Sequence, residues 1–554
     1  MSRDDLLLAL AWAVIPLGEL AFAAQGFVRP AAWQIAVELG AFAILAANHV
    51  HFAPRGWLRS PLWPAAVAVG VTLIALAPGG PASRLVYAVG LVGILAGAVA
   101  GAHRLGTPRA AGLAASLLAV VAQRWAVLAW DDEGRSAVDG PATVLLDELT
   151  PLPASGSGSD GPPVVLVTVD TLRWDHLVRT RAWQRLAERG RAFPRAMSTS
   201  SWTLPAMASL LTGELPASHG ATARTNGGYQ GVDPAAPRLP VDLARAGYTT
   251  AAVFSNAWLT DALGFRAGFH RFWHVNQARP HRLIIAGVPR TPAWTGAAVT
   301  DRALAVAAGL PDRGAFLWVH YVDPHLPWAH AEDALTGGLA DNRLRQGLIL
   351  DDAARADIRA GYAHEVDLLD AHLERLLDGL QARGWLDRGY VFLTADHGEE
   401  LYDHGSWEHG HSHHGEVVDV GLVVSGPGVA AAAPPGVASL VDVPATIRAV
   451  AGLPPVGEGI DLRGPLPADR IATAYGNAYV APARSARQGS LRVLVDPDGT
   501  VHAYDLAADP TEHAELSLPD DAPLVRAARA VRGPDQTRQA DINVEALEAL
   551  GYLE

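Results

Sequence analysis

Before residue 131 the chain is almost continuously apolar, in five stretches at about 6–24, 31–50, 62–77, 85–102 and 111–130. A helix needs about 20 apolar residues to cross a bilayer. Four stretches are near that length, and the third is short enough to need tilt or local thinning. No basic region precedes the first stretch and more spans come after it, so it reads as a retained span and not as a cleaved signal. Arg3, Arg55, Arg59, Arg104 and Arg109 fall in loops on one side, and Arg29, Arg84 and Arg135 on the other. The positive-inside rule then puts the N-terminus in the cytoplasm. Five spans carry everything after Trp130 to the outer, periplasmic or extracellular, side of the cytoplasmic membrane. Glu19, Glu38 and Arg124 interrupt the spans and read either as a structural ion pair or as a polar pocket for a lipid head group.

This segment accounts for most of the chain's positive mean hydropathy of +0.14, so the remainder is an ordinary globular part. The net charge of −14 argues against nucleic acid as a partner. The absence of cysteine excludes disulfides, thiolate metal sites and a cysteine nucleophile. No lysine occurs either, so all 43 basic residues are arginine. Residues 131–162 form the tether, with the flexible piece ASGSGSDGPP.

The globular part alternates strands with helices. Residues 164–169, 249–255, 316–321, 390–393 and 420–424 are short apolar runs that predict buried strands. Residues 183–190, 206–211, 240–247, 361–384 and 441–452 predict helices. That alternation implies a doubly wound α/β sheet. Residues 492–496 and 501–505 predict a hairpin around Pro497-Asp498-Gly499, in a small β-rich subdomain. Residues beyond 510 read as a peripheral tail. On the long helix, Glu365 and Asp370 read as surface or buffering groups.

Chemistry gathers at strand ends, where open α/β sheets place their ligands. Asp170 closes the first strand, Asp323-Pro324-His325 comes after the 316–321 strand, and Asp396-His397 after the 390–393 strand. Six histidines crowd the last of these stretches, at 397, 404, 409, 411, 413 and 414. A carboxylate beside an imidazole reads as a pair of metal ligands. Thr203 precedes Pro205 and a helical run, at or near a helix N-cap. Free N–H groups and the positive end of the dipole make that an anion-binding position. On local sequence alone a plain capping threonine is the better reading.

Together these pieces resemble the sulfatase branch of the alkaline phosphatase superfamily. The stretches that carry the resemblance are VLVTVDTLRWDHL, SSWTLPAMASLLTGELPASHG, GYTTAAVFSN, FLWVHYVDPHLPW and TADHGEELYDHGSWEHGHS, with LVDVPATIRAVAGLP and DPDGTVHAYDLAADPTE later. The resemblance implies that Asp170, Asp396 and His397 hold a divalent metal with Thr203, Zn or Mn, at one site and possibly a second. It places Thr203 at the nucleophile position, His325 beside the transferred group, and His409 where the family binds substrate with Lys or His. Sulfatases proper make a formylglycine from Cys or Ser in a C/S-x-P-x-R motif, whereas this chain has Thr203-Leu204-Pro205-Ala206-Met207. It also lacks active-site lysines, and Thr171 stands where a second acid is usual. In these departures it is similar to lipoteichoic acid synthases and lipid A phosphoethanolamine transferases, which pair five membrane spans with an external domain and a metal-bound threonine.

The expected layout is a transmembrane bundle (1–130), a linker (131–162), a sulfatase-like core (163–430), a C-terminal subdomain (431–510) and a tail (511–554). The expected function is a membrane-anchored metalloenzyme that hydrolyses or transfers a phosphoester of a membrane lipid or envelope component. The alternatives are a sulfuric ester hydrolase and a non-catalytic receptor or scaffold on the same fold.

Overall fold

The computed structural model describes residues 158–223, 229–256, 258–275, 296–325, 352–431 and 435–535. The five expected spans, Glu19, Glu38, Arg124 and nearly all of the tether lie outside the described residues. Among the described residues no helix is long and apolar enough to cross a membrane.

Seven strands form the main sheet: β1 (Val164–Val169), β2 (Gly190–Met197), β3 (Thr249–Phe254), β4 (Arg271–His274), β5 (Ala315–Tyr321), β6 (Tyr390–Ala395) and β7 (Asp419–Ser425). Their order is β2-β7-β6-β1-β5-β3-β4. The β1, β3, β5 and β6 runs are buried along their whole length, which explains why they are apolar without alternation. These four strands, with β4 at the edge, are parallel. β7 runs antiparallel to both β6 and β2. The sheet is therefore mixed, which corrects the simple doubly wound expectation. β2 was not anticipated, because Pro194 and two arginines break its apolar run. As an edge strand it tolerates both.

The longer helices of the main body are α1 (Arg181–Ala187), α2 (Thr203–Thr212), α3 (Leu239–Arg245), α4 (Gly296–Gly309), α5 (Asp352–Ala382) and α6 (Asp442–Val450). On α5, Val366, Leu369, Leu373, Leu376 and Leu380 are buried, as their spacing predicts. Glu365 and Asp370 are also buried, which corrects their reading as surface groups. Asp370 accepts hydrogen bonds from the backbone N–H groups of Arg181 and Ala182, so it caps α1 from a neighbouring helix. Nothing in the local sequence of α5 announces a partner 188 residues away.

The C-terminal strands β8 (Ile471–Tyr475), β9 (Arg484–Gln488), β10 (Leu491–Val495) and β11 (Val501–Asp505) form an antiparallel sheet in chain order. The expected hairpin is its second half. A further helix, α7 (Pro523–Ala530), lays Leu524, Val525 and Ala528 on Ala486, Val493, Val495 and Ala503. Residues up to about 530 thus belong to this layer and not to a peripheral tail. Burying that leucine and valine contributes at most about 6 kcal/mol.

Candidate active site

Register builds the site. Val169 lies opposite both Tyr321 and Ala395, so three parallel strands end at the same level. The Asp170 N–H donates to the Tyr321 carbonyl at 2.9 Å, and the Asp396 N–H to the Val169 carbonyl at 3.2 Å. The two acids that end neighbouring strands therefore stand side by side, both buried.

The loop after β1 is held under strain. Thr171 has φ 54°, a conformation that β-branched residues avoid. There its N–H donates to Asp396 Oδ1 at 3.3 Å. Tyr362 of α5 braces the turn, donating its hydroxyl to the Thr171 carbonyl at 2.7 Å and accepting from the Arg173 N–H at 2.9 Å.

His397 comes next, with its N–H on Asp396 Oδ1 at 2.8 Å. Its Nδ1 lies 2.9 Å from the Gly398 carbonyl, which only accepts, so the proton is on Nδ1 and the lone pair on Nε2. Nε2 points at 3.4 Å to Asp170 Oδ1, 3.5 Å to Asp396 Oδ2 and 3.3 Å to Thr203 Oγ1. Burial pushes the Asp170 carboxyl up to about 6, against the opposing pull of His325, Asn256 and Thr203. Burial and the neighbouring Asp170 push Asp396 well above the usual carboxylate range. Burial, then His409, holds His397 well below the usual imidazole range.

Thr203 is the first residue of α2, a ten-residue helix closed by Gly213 in the left-handed region at φ 83°. Its Oγ1 lies 3.5 Å from Asp170 Oδ1. Ser198, in the loop that leads into α2, donates to the Asp396 carbonyl at 2.5 Å and ties that loop to the end of β6.

A divalent cation fits this donor set. The ligand atoms of Asp170, Asp396 and His397 lie within 4.8 Å of one another. Asp396 Oδ2 is buried with no hydrogen-bond partner, and the His397 lone pair faces the same point. Two adjacent buried carboxylates repel unless positive charge joins them.

The other two expected residues stand beside this group. The His409 ring centroid is 4.5 Å from that of His397 and 5.2 Å from that of His325. Glu399 Oε1 accepts from His409 Nδ1 at 2.9 Å. The remaining histidines of the stretch turn elsewhere. His411 pairs with Glu400, His404 with Glu416 and His414 with Glu512, and His413 bonds the Gly476 carbonyl. Sequence reading missed Asn256, Glu399, Tyr362 and the strained Thr171. Asn256 lies just after the end of β3 and donates to Asp170 Oδ2 at 2.5 Å. Its place just past a buried strand was the available signal. Tyr362 carried none.

A buried acid pair with an imidazole stands at the carboxyl ends of parallel strands, against a helix-terminal hydroxyl, and could hold a divalent metal ion. The sulfatase family model matches residues 162–453, over half of the 554 residues, and the chain belongs to the sulfatase family. Members of that family are hydrolases that bind a divalent metal. A choline-sulfatase of Rhizobium meliloti (strain 1021) is 27% identical over 205 residues, 34% of this chain and 39% of that protein. The match thus spans about two fifths of that relative's length. A 2-O GAG sulfatase has a similar fold, with TM-score 0.52 and 16% identity over 64% of this chain and 88% of that one. The phosphonate monoester hydrolase of Agrobacterium radiobacter has TM-score 0.52 and 18% identity over 66% of this chain and 93% of that one.

Proposed function

We propose that the protein is a membrane-anchored enzyme of the outer face of the cytoplasmic membrane that hydrolyses or transfers a phosphoester through Thr203. The observation that carries this reading is the Thr203 hydroxyl. It lies 3.5 Å from Asp170 and 3.3 Å from His397, at the N-terminus of a buried helix. A threonine cannot become formylglycine, so the hydroxyl itself is the nucleophile. The likeness in fold to phosphonate monoester hydrolases supports a phosphorus centre. The five apolar stretches support the anchor and an N-terminus in the cytoplasm. They also favour a membrane lipid or envelope ester as substrate.

Asp170, Asp396 and His397 would hold the divalent ion, whose positive charge lowers the pKa of the Thr203 hydroxyl and offsets charge on the phosphoryl oxygens. Thr203 Oγ1 then forms a bond to phosphorus as the ester P–O bond breaks. The N–H groups at the start of α2 face the developing negative charge. His409, oriented by Glu399, and His325 beside it bind phosphoryl oxygens and protonate the leaving alcohol. Water or a second alcohol breaks the P–Oγ1 bond and restores the threonine. Water at that step makes the enzyme a hydrolase, and an alcohol makes it a transferase.

The second reading is a sulfuric ester hydrolase, favoured by the choline-sulfatase likeness. A non-catalytic scaffold would have no need to keep two buried like charges adjacent. The test is mass spectrometry of the purified chain after incubation with membrane lipids or aryl phosphodiesters. Phosphate-bearing mass on Thr203 is expected, with turnover of aryl phosphodiester above aryl sulfate. Turnover of aryl sulfate alone would overturn the reading.

A further inference from the structure

Among the described residues the exposed large hydrophobic side chains are Tyr479 (48%), Val480 (51%) and Leu516 (40%). Scattered single apolar residues on a surface are ordinary. Two adjacent ones at the rim of a buried catalytic centre need a reason. Tyr479 and Val480 sit in the loop between β8 and β9, and the Tyr479 ring centroid is 6.5 Å from that of His409.

The loop is clamped to both sides of the site. Ser201, two residues before Thr203, donates its hydroxyl to the Gly476 carbonyl at 2.9 Å. Its own carbonyl accepts from the Gly410 N–H at 2.9 Å. The Gly410 carbonyl in turn accepts from Ala478 N–H at 2.8 Å and Tyr479 N–H at 3.2 Å. Gly410 has φ 74°, and a Cβ there would meet the Ala478 Cβ at 2.8 Å and the Tyr479 ring at 3.2 Å. Glycine thus lets the ring lie close over the residue next to His409. Backbone hydrogen bonds and buried polar side chains hold this loop. Its two apolar side chains each leave about half of their surface exposed.

An ester whose phosphoryl group lies at Thr203, with its leaving oxygen toward His409, runs its alcohol portion along this loop. We infer that Tyr479 and Val480 form a specificity lip that selects esters whose alcohol portion is apolar, an alkyl chain or a ring. The orientation of the ester rests on the proposed role of His409, but the lip serves a sulfate or a phosphate head equally.

The test uses the full chain in one nonionic detergent, with binding measured by calorimetry for methyl and octyl phosphate and for methyl and octyl sulfate. Wild type is expected to hold the octyl ester about tenfold tighter than the methyl ester, in at least one head-group series. In the double variant Tyr479→Ala, Val480→Ala that ratio falls to about one while methyl affinity stays. Tyr479→Phe keeps the ratio. Affinities are referred to the free ester outside micelles, measured by dialysis without protein, so partition does not enter the ratio. No gain with chain length in either series overturns the lip, as does an equal loss for methyl and octyl esters in the double variant. A ratio that survives in the double variant also overturns it. The residues would then serve another contact, such as the bilayer surface or a second copy. Sulfate turnover without phosphate turnover overturns the proposed phosphoester function, and the sulfate series still decides the lip.

Discussion

Asp396 and Asp419 are both fully buried, yet they are surrounded in opposite ways. Asp396 and its neighbour Asp170 receive neutral donors, from Thr171, His397, Asn256 and Thr203. Asp419, at the start of β7, is ringed by Arg195 at 2.6 Å, Arg487 at 3.1 Å and the fully buried Arg492. Burial alone pushes a carboxyl upward. The arginines overcome that push and hold Asp419 far below the usual carboxylate range, while Asp170 and Asp396 stay raised. Glu512 extends the arginine cluster through Arg492 at 3.0 Å. One centre is neutralised from within the chain, and joins β2, β7, β9, β10 and the segment before α7. The other has two adjacent acids, with no arginine against them among the described residues, and one oxygen without a hydrogen-bond partner, a donor set that could hold a cation.

The strongest way to break that contrast is at the first centre. Asp396→Asn should abolish stoichiometric divalent metal and lower kcat/KM at least about 1000-fold, some 4 kcal/mol of transition-state stabilisation. Metal-free thermal stability should not fall, because the change removes one of two repelling buried acids. Metal analysis and unfolding of the same preparation check both halves, and wild-type metal content in the variant would erase the distinction. Thr203→Ala should lose turnover comparably while keeping metal, which separates loss of a ligand from loss of the proposed nucleophile.

Asp419→Asn should do the reverse. Leaving three arginines short of their acid should cost about 3–5 kcal/mol of stability, read by denaturant unfolding. Metal content per folded molecule should hold. A cost below about 1 kcal/mol would mean the arginine ring is not what fastens the second sheet. Smaller again is Glu399→Gln, which leaves His409 in place but without its charged partner. About a tenfold fall in kcat is expected, with KM little changed, because the imidazole loses the carboxylate that orients it.

The same contrast explains what the sequence disclosed. β1, β3, β5 and β6 were legible because strands buried on both faces are apolar throughout and stop abruptly at polar residues. Asp170, Asp396, His397 and His325 stood out because they sit at those stops. Asn256 sits at one too, but a lone asparagine after a strand has many structural uses. The arginine centre was not legible. Its members come from positions 195, 419, 487, 492 and 512, each an ordinary surface residue by type. Only the fold removes them from water. β8 and β9 were missed for a related reason, since IATAY and RSARQ are short and carry polar residues toward solvent. Asp370 was misread because its role as a cap depends on α1, which no local pattern joins to α5.

The smallest expected effect lies between the two centres. His404 stacks on His414 at 3.7 Å and on His513 at 4.9 Å, and its Nδ1 lies 2.6 Å from Glu416. The Glu512 carbonyl accepts from its Nε2 at 3.2 Å. Burial works against the charged ring, but Glu416, the Glu512 carbonyl and Glu400 outweigh it and raise His404 to about 9. A group whose folded pKa lies above its unfolded value of about 6.5 stabilises fully below that value. The contribution then fades as pH rises through about 9. Solvent screening at this half-buried pair reduces it to about 1 kcal/mol. Between pH 6 and 10 wild type should therefore lose about 1 kcal/mol more stability than His404→Gln, by denaturant unfolding at each pH. Parallel pH profiles for the two proteins would show that this histidine stack adds no charge-dependent link between the catalytic loop and the arginine centre.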